Sequence, residues 1–334
     1  MTVNAPGKST PAAAAARVFP GVAVAAVIAM ASTFLSEHYG GPVMLFALLI
    51  GMAFHFLSQE GRCARGIDFA ARTVLRLGVA LLGFRISVDQ LAALGWRAPL
   101  VTCAAVAATI LLGMAAARAF RQSAQFGILT GGAVAICGAS AALAIASVLP
   151  KHANTERDTI FAVIGVTTLS TAAMVIYPPL MGVLGLGDAD LGFLLGATIH
   201  DVAQVVGAGY SVSTTAGDVA TISKLMRVAL LVPVVATLAL VYRSPGGEGA
   251  RRGLMLPWFL VAFVAFAAAS SAGIVPKAAA DYLNHASRWC LVIAIAALGM
   301  KTSLAALGKL GWRPVALMVA ETAFLAAVVV AVML

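Results

Sequence analysis

The residues best suited to chemistry fall in one otherwise apolar stretch, Gly196-Ala197-Thr198-Ile199-His200-Asp201-Val202-Ala203-Gln204-Val205-Val206-Gly207-Ala208-Gly209. A histidine beside an acid can carry a proton near neutral pH, and Gln204 adds an amide donor and acceptor. Read as one helix, His200 and Gln204 stand four apart and Asp201 and Gln204 three apart, so all three share a broad face. Ionisable and amide groups among aliphatic neighbours are costly unless they face a cavity or one another. That cost points to a substrate, proton or ion site, and the competing reading is a polar cluster that locks helices together. Glycines at 196, 207 and 209 make this stretch a candidate for unwinding.

A second stretch, Gln122–Pro150, carries no charge over 29 residues and contains Gly131-Gly132 and then Ile136-Cys137-Gly138-Ala139-Ser140. As one helix it would run about 43 Å against a bilayer core of about 30 Å. Glycine permits unwinding, and Gly138–Ser140 opening into an alanine-rich run suits the start of a second half-helix. The free N–H groups and positive dipole end there would attract an anion, with help from the Ser140 hydroxyl. Close packing of small residues is the plainer alternative.

Lys224 and Arg227, three apart, could neutralise such an anion, pair with Asp201 or Glu321, or snorkel to the interface. Their place near the expected start of a span favours snorkelling. Arg72 and Arg76, four apart, present the same choice, whereas Glu321 lies well inside an apolar run.

The elements that must position these residues are transmembrane helices. Of 334 residues, 61% are hydrophobic and 10% charged, against about 25% charged in a soluble domain. A mean hydropathy of +0.99 excludes a soluble enzyme of 33.9 kDa. Uncharged runs such as Ala98–Ala117, Thr159–Gly187 and Gly253–Pro276 meet the roughly 20 residues that a bilayer requires. They lack the alternation of barrel strands, so helices are expected. Eleven spans are predicted, at 18–35, 42–58, 68–86, 98–117, 124–150, 158–183, 190–213, 218–242, 254–272, 279–299 and 314–334. Residues 1–17 read as a mobile tail before a single polytopic domain, 18–334, whose first span is retained rather than cleaved as a signal.

The net charge of +9 is spread through short loops and reflects the positive-inside bias, not nucleic-acid binding. With the N-terminus inside, the inner loops hold most of the Lys and Arg, which predicts a cytoplasmic N-terminus. Cys63, Cys103, Cys137 and Cys290 show neither metal-ligand spacing nor a disulfide framework, and no cofactor is implied.

An internal repeat is visible. Leu82-Gly83-Phe84-Arg85-Ile86-Ser87 with Leu94-Gly95-Trp96-Arg97 matches Leu298-Gly299-Met300-Lys301-Thr302-Ser303 with Leu310-Gly311-Trp312-Arg313, every pair offset by 216 residues. The copies lie an odd number of spans apart and are expected to run in opposite directions, as in secondary transporters. They do not extend into two complete linear halves.

Three motifs in order, Ile136-Cys137-Gly138-Ala139-Ser140-Ala141, Ile199-His200-Asp201-Val202-Ala203-Gln204-Val205-Val206 and Lys224-Leu225-Met226-Arg227-Val228, resemble the YeiH-like family of bacterial membrane proteins, labelled as sulfate exporters. The resemblance covers nearly the whole chain after the tail. Asp201 stands where a glutamate is associated with the family pattern, which keeps the charge and shortens its reach. The kinship implies an architecture similar to sodium–proton antiporters and bile-acid symporters: an all-α integral membrane protein of about 10–11 spans with an inverted repeat and two discontinuous, crossing helices. It also implies the bacterial inner membrane.

The function expected on these grounds is a secondary transporter exporting a small anion such as sulfate by alternating access. The expected binding residues are Gly138, Ser140, His200, Asp201, Gln204, Lys224 and Arg227, with no metal. The expected partners are the anion, the lipid bilayer and a coupling proton or cation, with homo-oligomerisation left open. A cation–proton antiporter using Asp201 is the main alternative. A passive channel fits the same residues, while an intramembrane acid–base enzyme would lack a nucleophile motif beside His200 and Asp201.

Overall fold

The computed structural model describes residues 11–39, 41–59, 61–85, 95–242, 257–302 and 311–333. Every regular element among them is helical. In chain order these are α1 (Pro11–Tyr39), α2 (Val43–Ala53), α3 (Phe56–Gln59), α4 (Ala64–Phe69) and α5 (Leu75–Leu81). There follow α6 (Arg97–Ala116), α7 (Ala124–Ala135), α8 (Ala139–Val148), α9 (Thr155–Gly182), α10 (Asp188–Thr198) and α11 (Val202–Val212). The last five are α12 (Thr214–Ala229), α13 (Leu231–Val241), α14 (Trp258–Ser271), α15 (Lys277–Lys301) and α16 (Trp312–Met333).

Six stretches are long and apolar enough to cross a bilayer as single helices: Ala15–Tyr39, Arg97–Ala116, Thr155–Gly182, Thr214–Val241, Lys277–Lys301 and Trp312–Met333. The other five predicted spans are the short or interrupted ones. In one of them, α4 and α5 are joined by a π-helical turn, Ala70–Val74, and a short 3₁₀ turn, Leu82–Phe84, follows. Two more divide into α7 and α8, and into α10 and α11. Of the predicted tail, residues 1–10 lie outside the described residues, and helix already begins at Pro11. The alanine tract there is the strongest of helix formers.

The described residues form two compact units, one of Met1–Gly78 with Ala286–Thr302, the other of Val79–His285 with Ser303–Leu334. In the first, α2 meets the end of α15 so closely that a Cβ on Gly299 would lie 3.1 Å from Gly51 Cα. Asp68 on α4 pairs there with Lys301 and, at 3.2 Å, with Arg72. Arg72 thus serves an ion pair at an exposed position.

The second unit holds every predicted binding residue. Its helices start where polar side chains cap them: Ser123 accepts from Phe126 N at 3.1 Å and Ser213 from Ala216 N at 3.1 Å. At its edge, Asp218 is held by Arg85 Nε at 3.1 Å and by the Tyr210 hydroxyl at 2.5 Å.

Parts of both repeat copies fall within the described residues and match locally. Gly95 and Gly311 both take a left-handed backbone, with φ of 62° and 82°. The tryptophans that follow, Trp96 and Trp312, are 73% and 72% exposed. Residues 86–94 and 303–310, which complete the two copies, lie outside the described residues.

Candidate functional site

Two interrupted helices meet at one buried cluster. The first breaks between Ala135 and Ala139, where Gly138 adopts φ 65°, ψ −129°. Glycine reaches this backbone conformation without the Cβ clash that other residues incur. The two halves, of 12 and 10 residues, measure about 18 and 15 Å, so together they match a bilayer core. The expected discontinuity of this span is therefore present.

The second break, Ile199–Asp201, contains no glycine. Gly196 and Gly209 instead seat α10 and α11 against α12, where a Cβ on either would press on the Ala220 or Gly217 backbone. The expected unwinding of this span is present, while the shared helical face expected for His200, Asp201 and Gln204 is corrected. His200 and Asp201 lie in the unwound link, and only Gln204 is on α11.

Both breaks are bonded by side chains of α12. Lys224 and Arg227 are 0% and 1% exposed. The Lys224 ammonium donates to the carbonyls of Ile136 at 2.6 Å and Ile199 at 3.0 Å, one from each break. The Arg227 guanidinium donates to Ala135 (2.7 Å), Val134 (2.8 Å), Ile199 (3.0 Å) and Gly196 (3.2 Å). These carbonyls end α7 and α10 and lack intrahelical partners, and cations are favoured at the negative ends of helix dipoles. Snorkelling is overturned for both residues. The Ser213 cap starts α12 at Thr214 rather than 218, which sets Lys224 ten residues, about 15 Å, into the helix.

The two cations divide their work. Arg227 uses four of its five N–H donors on backbone and acts as a clamp. Lys224 spends two of three on the Ile136 and Ile199 carbonyls and, among the described residues, keeps one for a ligand.

Asp201 caps α11, its Oδ1 accepting from Val202 N at 3.0 Å, while its own N–H donates to Ser170 Oγ at 2.9 Å. Its other oxygen faces Gly138 across the first break, 3.6 Å from where a Cβ would stand. Gly138, at the N-cap of α8, has no side chain to cap the helix, and the Cys137 thiol bonds the backbone of Ala141 in its first turn.

His200 is fully buried, with Nδ1 3.2 Å from the Val134 carbonyl and Nε2 3.0 Å from Thr322 Oγ1 on α16. Gln204 donates to Thr171 Oγ1 at 3.3 Å, and its buried Oε1 has no hydrogen-bond partner among the described residues.

Gly138, His200, Asp201, Lys224 and Arg227 are thus brought together, with Gln204 one turn away. Ser140 is exposed and shares its face of α8 with Leu143, 59% exposed, apart from the cluster. Sequence reasoning missed Ser170, Thr171 and Thr322. Threonines in apolar helices usually bond the carbonyl four residues back, as Thr322 does to Met318 at 2.8 Å, so nothing in their spacing marks them.

The cluster thus places buried cations from α12 at both breaks, beside the helix start of α8 and the carboxylate of Asp201. Comparison with known proteins agrees with the membrane reading. Residues 20–318 match the family described as Conserved hypothetical protein 698. A UPF0324 membrane protein of Chlorobaculum tepidum is 55% identical over 94% of this chain and 88% of its own length. The UPF0324 membrane protein TauZ of Paracoccus pantotrophus is 52% identical over 94% of both chains, and that of Paracoccus denitrificans 53% over 92% of both. No solved structure matches. With its apolar helices, its two half-helix pairs and these relatives, the chain belongs to the UPF0324 family of membrane proteins.

Proposed function

We propose that this protein is a secondary transporter that moves a small anion, sulfate foremost, by alternating access at the paired breaks. One observation carries the reading: Lys224 and Arg227 are buried where two helices break, and among the described residues Asp201 supplies the one carboxylate within the breaks themselves. The four helix ends at the breaks, two positive and two negative, offset one another. Two cations against one carboxylate leave one positive charge unmatched, which suits an anion. In this reading the N-terminal end of α8 and the remaining N–H of Lys224 hold the anion. Arg227 fixes the two breaks, and Asp201 and His200 set the local charge.

The inverted arrangement of the repeat, crossing of the two interrupted helices, a bacterial inner-membrane location and a cytoplasmic N-terminus belong to the same proposal. The matched glycine conformations at 95 and 311 support the repeat, and the loop charges support the orientation.

The test is counterflow of labelled sulfate in proteoliposomes, with Lys224→Ala and His200→Ala compared with wild type. Loss of counterflow in Lys224→Ala is expected, and unchanged flux in both variants would refute the site. A second reading, a cation–proton antiporter, is favoured by Gln204 Oε1, three residues from Asp201 and buried without a hydrogen-bond partner among the described residues. Flux that depends on sodium or potassium and ignores anions would select it.

A further inference from the structure

Beside this cluster lies an acid that the anion site does not use. Glu321 is 0% exposed and sits at the middle of α16. One carboxyl oxygen accepts from Thr130 Oγ1 on α7 at 2.8 Å, and the other, Oε2, is buried with no hydrogen-bond partner among the described residues. No ion pair within 4.0 Å involves it among the described residues. The carboxyl fills a slot made by glycine. A Cβ on Gly113 of α6 would lie 2.5 Å from Oε1, and α6 and α7 approach so closely there that a Cβ on Gly127 would strike the Gly113 carbonyl.

The charged and titratable groups on the helices packed around this slot stand elsewhere. On α6, Arg97 opens the helix and Cys103 is exposed; on α9, Glu156, Arg157 and Asp158 lie in the first turn and Tyr177 near the other end. Asp188 and Asp190 open α10, and Arg313 opens α16. His200 is the titratable group bonded to this part of α16, through Thr322 next to Glu321. It shares the Val134 carbonyl with Arg227 of the clamp.

A full negative charge held by one hydroxyl and no cation is expensive in such a place, and a carboxyl can shed that charge by taking a proton. We propose that Glu321 is a proton-binding site that couples proton movement to transport, and that α16 links it to the breaks through Thr322 and His200. The carboxylate accepts a proton from water on one side to become a carboxylic acid, and returns it to water on the other. No other bond changes. The coupling rests on the transport reading above, whereas the protonation of Glu321 stands apart from it.

Glu321→Gln keeps the shape and the hydrogen bond to Thr130 but cannot ionise. Wild type and E321Q, both monodisperse on size exclusion, are compared in proteoliposomes for sulfate–sulfate exchange at equal pH and for net uptake driven by a pH gradient. The expected result is that E321Q keeps exchange and loses the acceleration by the gradient. Gradient-driven uptake retained in E321Q overturns the proposal. In parallel, infrared difference spectra of the purified protein should show a carboxylic-acid carbonyl band that follows bulk pH, is absent from E321Q and is shifted in Thr130→Val. A band unchanged in E321Q, or none that titrates, also overturns it. If wild type moves no sulfate in either mode, the transport reading fails and the infrared result alone decides the proton site.

Discussion

Truncating Arg227 should unfasten both interrupted helices at once. Its guanidinium donates to four carbonyls, Val134 and Ala135 at the end of α7 and Gly196 and Ile199 at the end of α10. Hydrogen bonds to a charged group contribute about 1.5–3 kcal/mol each, so the four together amount to roughly 6–12 kcal/mol. Burying the guanidinium takes back several kcal/mol. Arg227→Ala leaves the carbonyls buried and without their donors, and by analogy with broken buried pairs the net loss is roughly 3–5 kcal/mol. At about 2 °C per kcal/mol for a chain of this size, the melting temperature should fall by about 6–10 °C. Size-exclusion profiles of detergent-solubilised protein after stepwise heating give that shift. Arg227→Lys should recover only part of it, because an ammonium has three donors and no planar fork. An Arg227→Ala protein that melts within about 2 °C of wild type would show that the clamp does not hold the breaks.

Two further outcomes follow from the glycines. Gly138→Ala forces a side chain into a backbone conformation that costs about 1–3 kcal/mol and places a methyl in ordinary contact with Asp201. Sulfate counterflow should drop by roughly tenfold in a protein that still assembles, and undiminished flux would separate Gly138 from the site. Gly127→Ala would drive a Cβ against the Gly113 carbonyl, whereas a Cβ on Gly182 meets nothing within 4 Å. Heating should therefore destabilise Gly127→Ala by at least about 1–3 kcal/mol and leave Gly182→Ala neutral or slightly stabilised. The reverse order would contradict the packing of α6 on α7.

The helical membrane architecture and the first break are legible in the sequence because both are local. An uncharged run too long for the bilayer, interrupted by glycine at 138, admits few other conformations. The second break is harder to read. The glycines at 196 and 209 suggest unwinding but serve close packing, and the chain opens at Ile199–Asp201, held by donors 25–31 residues further on. Lys224 and Arg227 misled for a related reason. A cation near a span end snorkels unless tertiary structure supplies acceptors, and the acceptors are backbone carbonyls, which every residue carries and no side-chain pattern reveals. Glu321 was conspicuous by its charge, yet its slot depends on Gly113 and Gly127 meeting across two helices.

The clamp also imposes an order on how the protein is made. The α7 carbonyls that Lys224 and Arg227 satisfy lie 88–93 residues earlier in the chain. Ribosomes add about 5–20 residues per second, so α7 waits roughly 5–20 s after synthesis for its donors. In lipid each bare carbonyl costs several kcal/mol. A nascent chain stopped short of α12 therefore cannot release α7 and α10 into the bilayer in their final form. The insertion machinery must shelter both half-helix ends, which makes truncation before residue 224 a route to degradation rather than to a smaller working protein.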